Sequence, residues 1–237
     1  GVGLDMKRLE NPEAYIEDEF TALLLIAASQ KADDPAYGLT AGRYFVPSAF
    51  GPLGYSMMTS ETLQDALQRT VQFTASVTAT TKTRLHTGNT QGFLEILMPS
   101  YHPAVARFVD EFMLTAVIAA FSWLLGHDFA PLSVEFMHPE PESAVKHIQT
   151  FGVMPVFSSN RCGFLFSRQQ LDSRIIFADA AMGDIHDKYA ASRLAPAAIT
   201  LLIPQIRRII SQHLHDGEPT LALVAQQLHI SERTLQR

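Results

Sequence analysis

The segment from residue 220 to residue 237 has the most specific local pattern in this sequence. Its apolar residues follow the spacing i, i+3, i+4, i+7, which is one face of a short helix: Leu221, Val224, Ala225 and Leu228. Thr220 stands before them at the position of an N-cap. Ser231 offers a second N-cap, and Leu235 is the one strongly apolar residue of the helix after it. The pattern predicts two short helices joined by a tight turn.

The second of these helices is expected to turn polar side chains outward, and such a pair of helices is a helix-turn-helix. Arginine contacts guanine bidentately, glutamine contacts adenine, and serine, threonine and arginine hold phosphates. We therefore predict that these residues contact DNA: Ser231, Glu232, Arg233, Thr234, Gln236 and Arg237. The pattern alone leaves open an ordinary helical hairpin with a solvated polar face.

Composition places a different function in the rest of the chain. The protein has 237 residues, 47% of them hydrophobic, and a net charge of -6. That length allows one large domain and a smaller piece, and a chain that only coats nucleic acid would be basic. From Ala198 onward four arginines accompany three acidic residues, so the acidity lies upstream.

The single cysteine, Cys162, excludes an intrachain disulfide and indicates a reducing compartment. Its alternation with Phe164 and Phe166 predicts a buried, inert thiol. The N-terminus has no basic-then-apolar leader pattern. The longest uncharged apolar run, Phe112 to Leu125, is shorter than the roughly 18 residues that a membrane span needs. We expect a cytoplasmic protein without a membrane partner.

Hydrophobic periodicity predicts an α+β fold, with a mostly antiparallel sheet packed by helices and a helical fragment after it. Expected helices run from Asn11-Pro12 to about Gln30, from a cap at Thr59 or Ser60, over 103–125 and over 142–151; expected strands are 82–87, 92–98, 132–137 and 162–166. The first helix should turn these residues inward: Tyr15, Phe20, Leu23, Leu24 and Ala27. The segment from Phe45 to Tyr55, rich in proline and glycine, is expected to be an ordered loop.

The predicted organisation is a regulatory domain over 1–183, a linker helix over 184–195 and a partial DNA-binding domain over 196–237. Proline disfavours helical geometry in the residue before it, so Ala195 is expected to break the helix before Pro196. Such a break would act as a hinge. A rigid rod and a linker without a role are the alternatives.

The C-terminal segment resembles the first helix-turn-helix of the AraC/XylS-type transcription regulators. Their pattern has a proline, an apolar residue, Val-Ala, a leucine, a small turn, and then Ser-x-Arg-Thr-Leu-x-Arg. The matching residues are Pro219, Leu221, Val224, Ala225, Leu228, Ser231, Arg233, Thr234, Leu235 and Arg237. His229 departs from the family's frequent glycine. The family carries a second helix-turn-helix downstream, so the resemblance implies a native chain that continues past Arg237.

The upstream part resembles the N-terminal ligand-sensing domain of the arabinose-binding-like branch of these regulators. The matches are Phe50-Gly51, Leu53-Gly54-Tyr55, Thr62-Leu63, Ala66-Leu67, His138-Pro139, Pro141, Phe151-Gly152, Pro155, Phe157 and Leu171. They are fold markers, in which glycines serve turns, prolines end strands and leucines fill a core. The resemblance implies a regulator that responds to an unnamed small-molecule effector, binds promoter DNA and forms a homodimer.

The sequence contains none of the enzyme motifs that were considered. The nucleophile pattern G-x-S-x-G, the P-loop, the dinucleotide fingerprint and the zinc-protease motif are all missing, and no cofactor or metal is expected. His213 and His215 lie two apart on a helix and so point in different directions. The remaining rivals to a regulator are an unrecognised enzyme or carrier, and a protein-interaction module without DNA binding.

A small-molecule site is the remaining expectation, because such sites are apolar with a few polar anchors. Phe50, Tyr55 and Phe73 are the candidate walls, while each is open to the alternative of plain core packing. The candidate anchors are Arg69, Arg84 and His86, for which a surface charge is the alternative. An anionic ligand would need one of these arginines in paired geometry.

Overall fold

The structure is a computed structural model that describes residues 18–78, 81–98, 103–213, 220–228 and 231–232. In these residues four strands form one antiparallel sheet in the order β1-β2-β4-β3. The strands are β1 (Lys82–Thr87), β2 (Gln91–Leu97), β3 (Ser133–Glu135) and β4 (Gly163–Ser167). With the helices around it, this sheet confirms the predicted α+β class.

The helices are α1 (Asp18–Ala32), α2 (Tyr37–Gly42), α3 (Gly51–Met58), α4 (Leu63–Phe73), α5 (Pro103–Leu125), α6 (Val145–Phe151), α7 (Arg168–Leu171), α8 (Ala180–His213) and α9 (Leu221–Gln227). Two 3-10 helices stand among them, Pro47–Phe50 before α3 and Thr74–Ser76 after α4. The four predicted strands and the helices at 103–125 and near 142–151 are all present, with shifted ends at most of them.

The helix α5 is the centre of the fold and has the bounds that its sequence predicts. Residues on several sides of it are fully buried, among them Leu114, Ala120 and Phe121. Among the described residues, Val105–Leu125 is the one stretch long and apolar enough to cross a membrane. Most of it is covered by the rest of the protein, which is the environment of a core helix.

The segment from Phe45 to Tyr55 is helical from Pro47 onward, so the prediction of a loop was wrong. Pro47 and Pro52 each occupy the first turn of a helix, where the missing N–H of proline costs nothing. Gly54 lies inside α3 because the chain passes very close to it: a Cβ there would lie 1.7 Å from the Pro47 carbonyl oxygen. Glycine marks a close approach here instead of a turn.

The inward face of α1 also differs from the prediction. Leu23 and Leu24, expected inside, are 45% and 38% exposed, whereas Ala22 and Leu25 are buried against α5. This helix is apolar on most sides, so periodicity does not select one face. Its predicted start and Tyr15 lie outside the described residues, as does the side chain of Phe20, while Ala27, also expected inside, is exposed.

The helix α4 begins one turn later than the sequence suggested. Its N-cap is Thr62 and not Thr59 or Ser60. The Thr62 hydroxyl accepts from the Asp65 backbone N–H, and the Asp65 side chain accepts from the Thr62 N–H, which forms a capping box.

The predicted break at Ala195 is absent, because α8 is one helix from Ala180 to His213. The residue before a proline is only biased away from helical geometry, and an isolated proline removes one backbone hydrogen bond from a helix. A helix of this length tolerates that loss. It passes through both of the proposed boundaries, at 183/184 and 195/196.

The first helix of the C-terminal segment, α9, forms as predicted. Its N-cap Thr220 accepts a hydrogen bond from the Leu223 N–H, and Val224 and Ala225 are buried, although Leu221 is 38% exposed. The helix α9 contacts α8.

Candidate ligand cavity and DNA-contacting segment

A cavity of about 330 Å³ lies between α5 and the layer formed by α3, α4 and the first two strands. It is lined by Ala22, Phe45, Ala49, Phe50, Leu53, Met57, Thr70, Thr74, Val77, Thr78, Thr81, Thr83, Ile96, Met98, Val109, Phe112, Met113 and Val117. We refer to it as the central cavity. Its size is within the range of small-molecule sites, which are concave and mostly apolar.

One side of the central cavity is made of threonines, which we name the threonine wall: Thr70, Thr74, Thr78, Thr81 and Thr83. Thr70 lies on α4, Thr74 on the 3-10 helix after it and Thr83 on β1, whereas Thr78 and Thr81 lie in the segment between the 3-10 helix and β1. They are the polar groups of a lining that is otherwise almost entirely apolar. The cavity therefore has one hydrogen-bonding side and several hydrophobic sides.

Sequence reasoning missed the threonine wall, although part of its pattern is visible in the chain. Thr70, Thr74 and Thr78 are four residues apart, which places them along one side of a helix. Thr81, just before β1, and Thr83, its second residue, are two apart, with Thr83 turned toward the core. Only the packing of β1 beside α4 brings the two sets together.

Of the six predicted ligand-contacting residues, Phe50 lies in the described lining of the central cavity. Its ring packs 4.7 Å, centroid to centroid, from that of Phe45, which also lines the cavity. Phe73 is 2% exposed and belongs to the main hydrophobic core, outside the described lining.

Tyr55 and Arg69 lie outside the described lining and hold α8 instead. The ring of Tyr55 is 5.5 Å from that of His186. The Arg69 Nε donates to both carboxylate oxygens of Asp187, at 2.9 and 3.0 Å, and one terminal nitrogen donates to Ser60. Both contacts join the helices α3 and α4 to the first half of α8.

Arg84 and His86 project from the outer face of the sheet, away from the cavity. Their side chains are 62% and 56% exposed, and both approach Glu95 on β2. The His86 Nε2 lies 3.0 Å from a Glu95 carboxylate oxygen. The predicted anchors are thus not brought together around one site.

Two of the elements that form the walls of the central cavity also pack against α8. Leu53 and Met57 of α3 line the cavity, and α3 packs along α8. Thr74 belongs to the 3-10 helix after α4, which contacts α8 as well. Ala190 of α8 is fully buried in this contact region and belongs to the main core. A molecule in the cavity would touch the same elements that position α8.

A buried acid–histidine network lies on another side of α5. Glu111 and His147 are both fully buried, and the His147 Nε2 lies 2.8 Å from Glu111 Oε1. The Arg107 Nε donates to the same oxygen at 2.7 Å. The described residues contain no group of three His, Cys, Asp or Glu side chains placed to hold a metal ion. This network ties α6 to α5.

Cys162 is buried, as its alternation with phenylalanines predicts. Burial, with a contribution from the nearby Asp110 carboxyl, raises the pKa of the thiol well above its usual value. A thiol in that state is a poor nucleophile.

Most of the predicted DNA-contacting residues lie outside the described part of the chain: Arg233, Thr234, Gln236 and Arg237. Ser231 and Glu232 are described, and both are exposed.

The chain is similar to known proteins along most of its length. Residues 1–175 match the family described as the arabinose-binding domain of AraC transcription regulators, at its N-terminal end. The chain is 24% identical over 215 residues to the ornithine utilization regulator of Pseudomonas aeruginosa, covering 90% of this chain and 63% of that protein.

A solved structure has the same fold. The transcriptional regulator CdpR from Pseudomonas aeruginosa superposes with a TM-score of 0.58 at 20% sequence identity, over 85% of this chain and 66% of that one. The chain thus spans slightly less than two thirds of the length of either protein.

Proposed function

The chain belongs to the AraC transcription regulators, as a protein that carries their N-terminal arabinose-binding domain, and from that premise we propose that it is a ligand-responsive, sequence-specific DNA-binding transcription regulator. A small molecule in the central cavity changes how the C-terminal helix-turn-helix engages promoter DNA. The division of labour follows the proposed domains: 1–183 senses, 184–195 links, and 196–237 begins the DNA-binding part. The protein acts in the cytoplasm, and a homodimer is part of the proposal.

The observation that carries this proposal is the shared wall between the central cavity and α8. A ligand shifts an equilibrium only through its different affinities for two states. Leu53 and Met57 stand in the cavity wall on α3, which also packs on α8. A ligand that prefers one position of α3 therefore favours one position of α8.

The helix α8 provides the path from the sensor to the DNA-binding part. It runs unbroken from Ala180 to His213, and α9 contacts it. A displacement at its docked first half is transmitted to its second half, because helices are stiff over this length. The Arg69–Asp187 ion pair anchors the docked half.

Ornithine, for whose utilization the Pseudomonas aeruginosa relative is named, carries charges that need counter-charges in a binding site. None of the described residues that line the central cavity is charged. We therefore propose an effector that differs from this amino acid.

The proposal is tested by DNA selection with the full-length natural protein. Duplexes enriched from a random library should share one sequence motif, and Arg233→Ala should relax the preference at one position of it at a cost of about 1–3 kcal/mol. Binding that enriches no motif would leave the protein-interaction alternative in place.

The ligand part of the proposal is tested by mass spectrometry of small molecules that copurify with the protein. Ala49 is exposed at the rim of the central cavity, so Ala49→Trp should plug it and lose the copurified molecule. Ser48→Trp is the matched control, since Ser48 is an exposed neighbour outside the described lining. Equal retention by both variants would place the effector elsewhere.

A further inference from the structure

Given the proposed function, on which this inference rests, we infer that the effector is an uncharged, largely apolar molecule that carries one hydrogen-bond donor such as a hydroxyl. Its donor lies against the threonine wall. Its apolar body lies between α5, α3 and the rings of Phe45 and Phe50. This chemistry follows from three properties of the central cavity.

The first property is the absence of charge in the described lining. Its eighteen residues include no acidic, basic or histidine side chain. The acidic residues of α5 face elsewhere: Glu111 pairs with His147, and Asp110 is outside the described lining. An ionised group that leaves water for such a site loses its hydration and gains no partner.

The second property is the direction of the hydrogen bonds along the threonine wall. Thr70 donates its hydroxyl to the Ala66 carbonyl at 2.8 Å, and Thr74 donates to the Thr70 carbonyl. The Thr83 hydroxyl lies 3.0 Å from the Thr74 hydroxyl oxygen and 3.4 Å from the Thr70 carbonyl oxygen, and it can donate to either.

Thr81 completes this pattern with a weaker bond. It donates to the sulfur of Met98 at 3.6 Å. The hydroxyl protons of these four threonines are thus engaged by the protein, while lone pairs remain. The fifth, Thr78, already accepts from the Thr81 N–H at 3.3 Å. A ligand donor is satisfied here, whereas a carboxylate needs several donors that these side chains do not provide.

The third property is the shape of the apolar sides. Val109, Phe112, Met113 and Val117 present one continuous face of α5, opposite Leu53 and Met57 of α3. A ring with a short chain fits about 330 Å³ between these faces, and burying its surface contributes about 25 cal/mol per Å².

Three compounds with the same phenyl ring and two-carbon chain differ in the charge of their terminal group, so they test the effect of charge at nearly constant shape: 2-phenylethanol, phenylacetate and 2-phenylethylammonium. Their dissociation constants for the protein at pH 7 are measured by ligand-observed NMR titration. We expect 2-phenylethanol to bind at least 10-fold more tightly than either ion. Its binding should be lost in Ala49→Trp and kept in Ser48→Trp.

A charge introduced at the cavity should reverse this preference. Val77 lines the cavity and is 37% exposed, so Val77→Arg puts a guanidinium group at the opening without burying it fully. Phenylacetate should then bind at least 10-fold more tightly than it binds the unmodified protein. Val71→Arg, at a 40% exposed position outside the described lining, should change nothing.

The outcomes separate this inference from the proposed function. If an ion binds as tightly as the alcohol and Ala49→Trp abolishes that binding, the cavity remains the ligand site and the uncharged class is wrong. If no probe binds, or binding survives Ala49→Trp, the placement of the effector in the cavity fails, and this inference fails with it.

Discussion

At the scale of single residues, Asp110 gives the fold a pH-dependent weakness. Its side chain is buried on α5, and no described residue forms an ion pair with it. Burial, together with the neighbouring charge of Glu111, raises the pKa of this carboxyl from 3.8 to about 7. The unfolded chain releases the proton near its ordinary pKa, so the folded state loses stability as pH rises from about 4 to about 7.

Asp110→Asn removes this penalty and keeps the volume of the side chain. The difference in free energy of unfolding between the variant and the unmodified protein should grow by about 1–3 kcal/mol, in favour of the variant, when the pH is raised from 5 to 8. Urea unfolding at the two pH values measures the difference. Asp128→Asn, at an exposed position, controls for the loss of a negative charge in general. An equal gain from both substitutions would show that the burial of Asp110 is not the cause.

At the scale of secondary-structure elements, α3 depends on one glycine. A side chain at Gly54 would lie 1.7 Å from the Pro47 carbonyl oxygen, so the helix and the preceding 3-10 helix would have to separate. The contact matters because α3 forms part of the cavity and packs on α8.

Gly54→Ala should therefore lower the free energy of unfolding by about 3 kcal/mol or more, because overpacking at this distance has no local relief. Gly51→Ala is the matched control: its φ is +57° and a Cβ there meets nothing within 4 Å, so only backbone strain of about 1–3 kcal/mol is expected. Chemical denaturation gives both values. A smaller cost at Gly54 than at Gly51 would contradict the close approach.

At the scale of the whole molecule, the continuous α8 replaces the hinge that the sequence suggested. If α8 transmits as a rod, its docking on α3 matters more than the flexibility of its middle. Ala190 is fully buried in the docked half, whereas its neighbour Ala191 is exposed.

Ala190→Trp should displace α8 and abolish the effect of a bound ligand on DNA affinity, which is expected to be about 1–3 kcal/mol. Pro196→Ala and Ala191→Trp should both keep it. Fluorescence anisotropy of a selected duplex, with and without 2-phenylethanol, measures the effect. Loss of the response in Pro196→Ala with retention in Ala190→Trp would restore the hinge.

Many of the helices and strands could be predicted from local sequence patterns. The helix α5 has its predicted bounds because a long apolar stretch after a proline leaves little choice of structure. The hairpin of β1 and β2 formed as expected, since Gly88 and Asn89 interrupt two alternating segments. Thr220 and the apolar spacing behind it specified α9. In each case the information lies within a few turns of chain.

What the sequence left undecided depended on which segments meet. Periodicity could not choose the buried face of α1, which is apolar on most sides. Glycine and proline between Phe45 and Tyr55 indicated a loop, but Gly54 serves a close contact with the carbonyl of the preceding 3-10 helix. Arg69 looked like a ligand anchor until α8 placed Asp187 beside it. The threonine wall exists only because β1 packs beside α4.

The family of this protein, its α+β class and most of its regular elements could be predicted from the sequence, because they follow from spacing, turns and hydrophobic period along the chain. The position of the central cavity, the groups that line it and the helix that packs on its walls became known from the three-dimensional packing. Those properties are set by contacts between residues far apart in the chain, whose free energies depend on packing geometry and burial and not on local pattern.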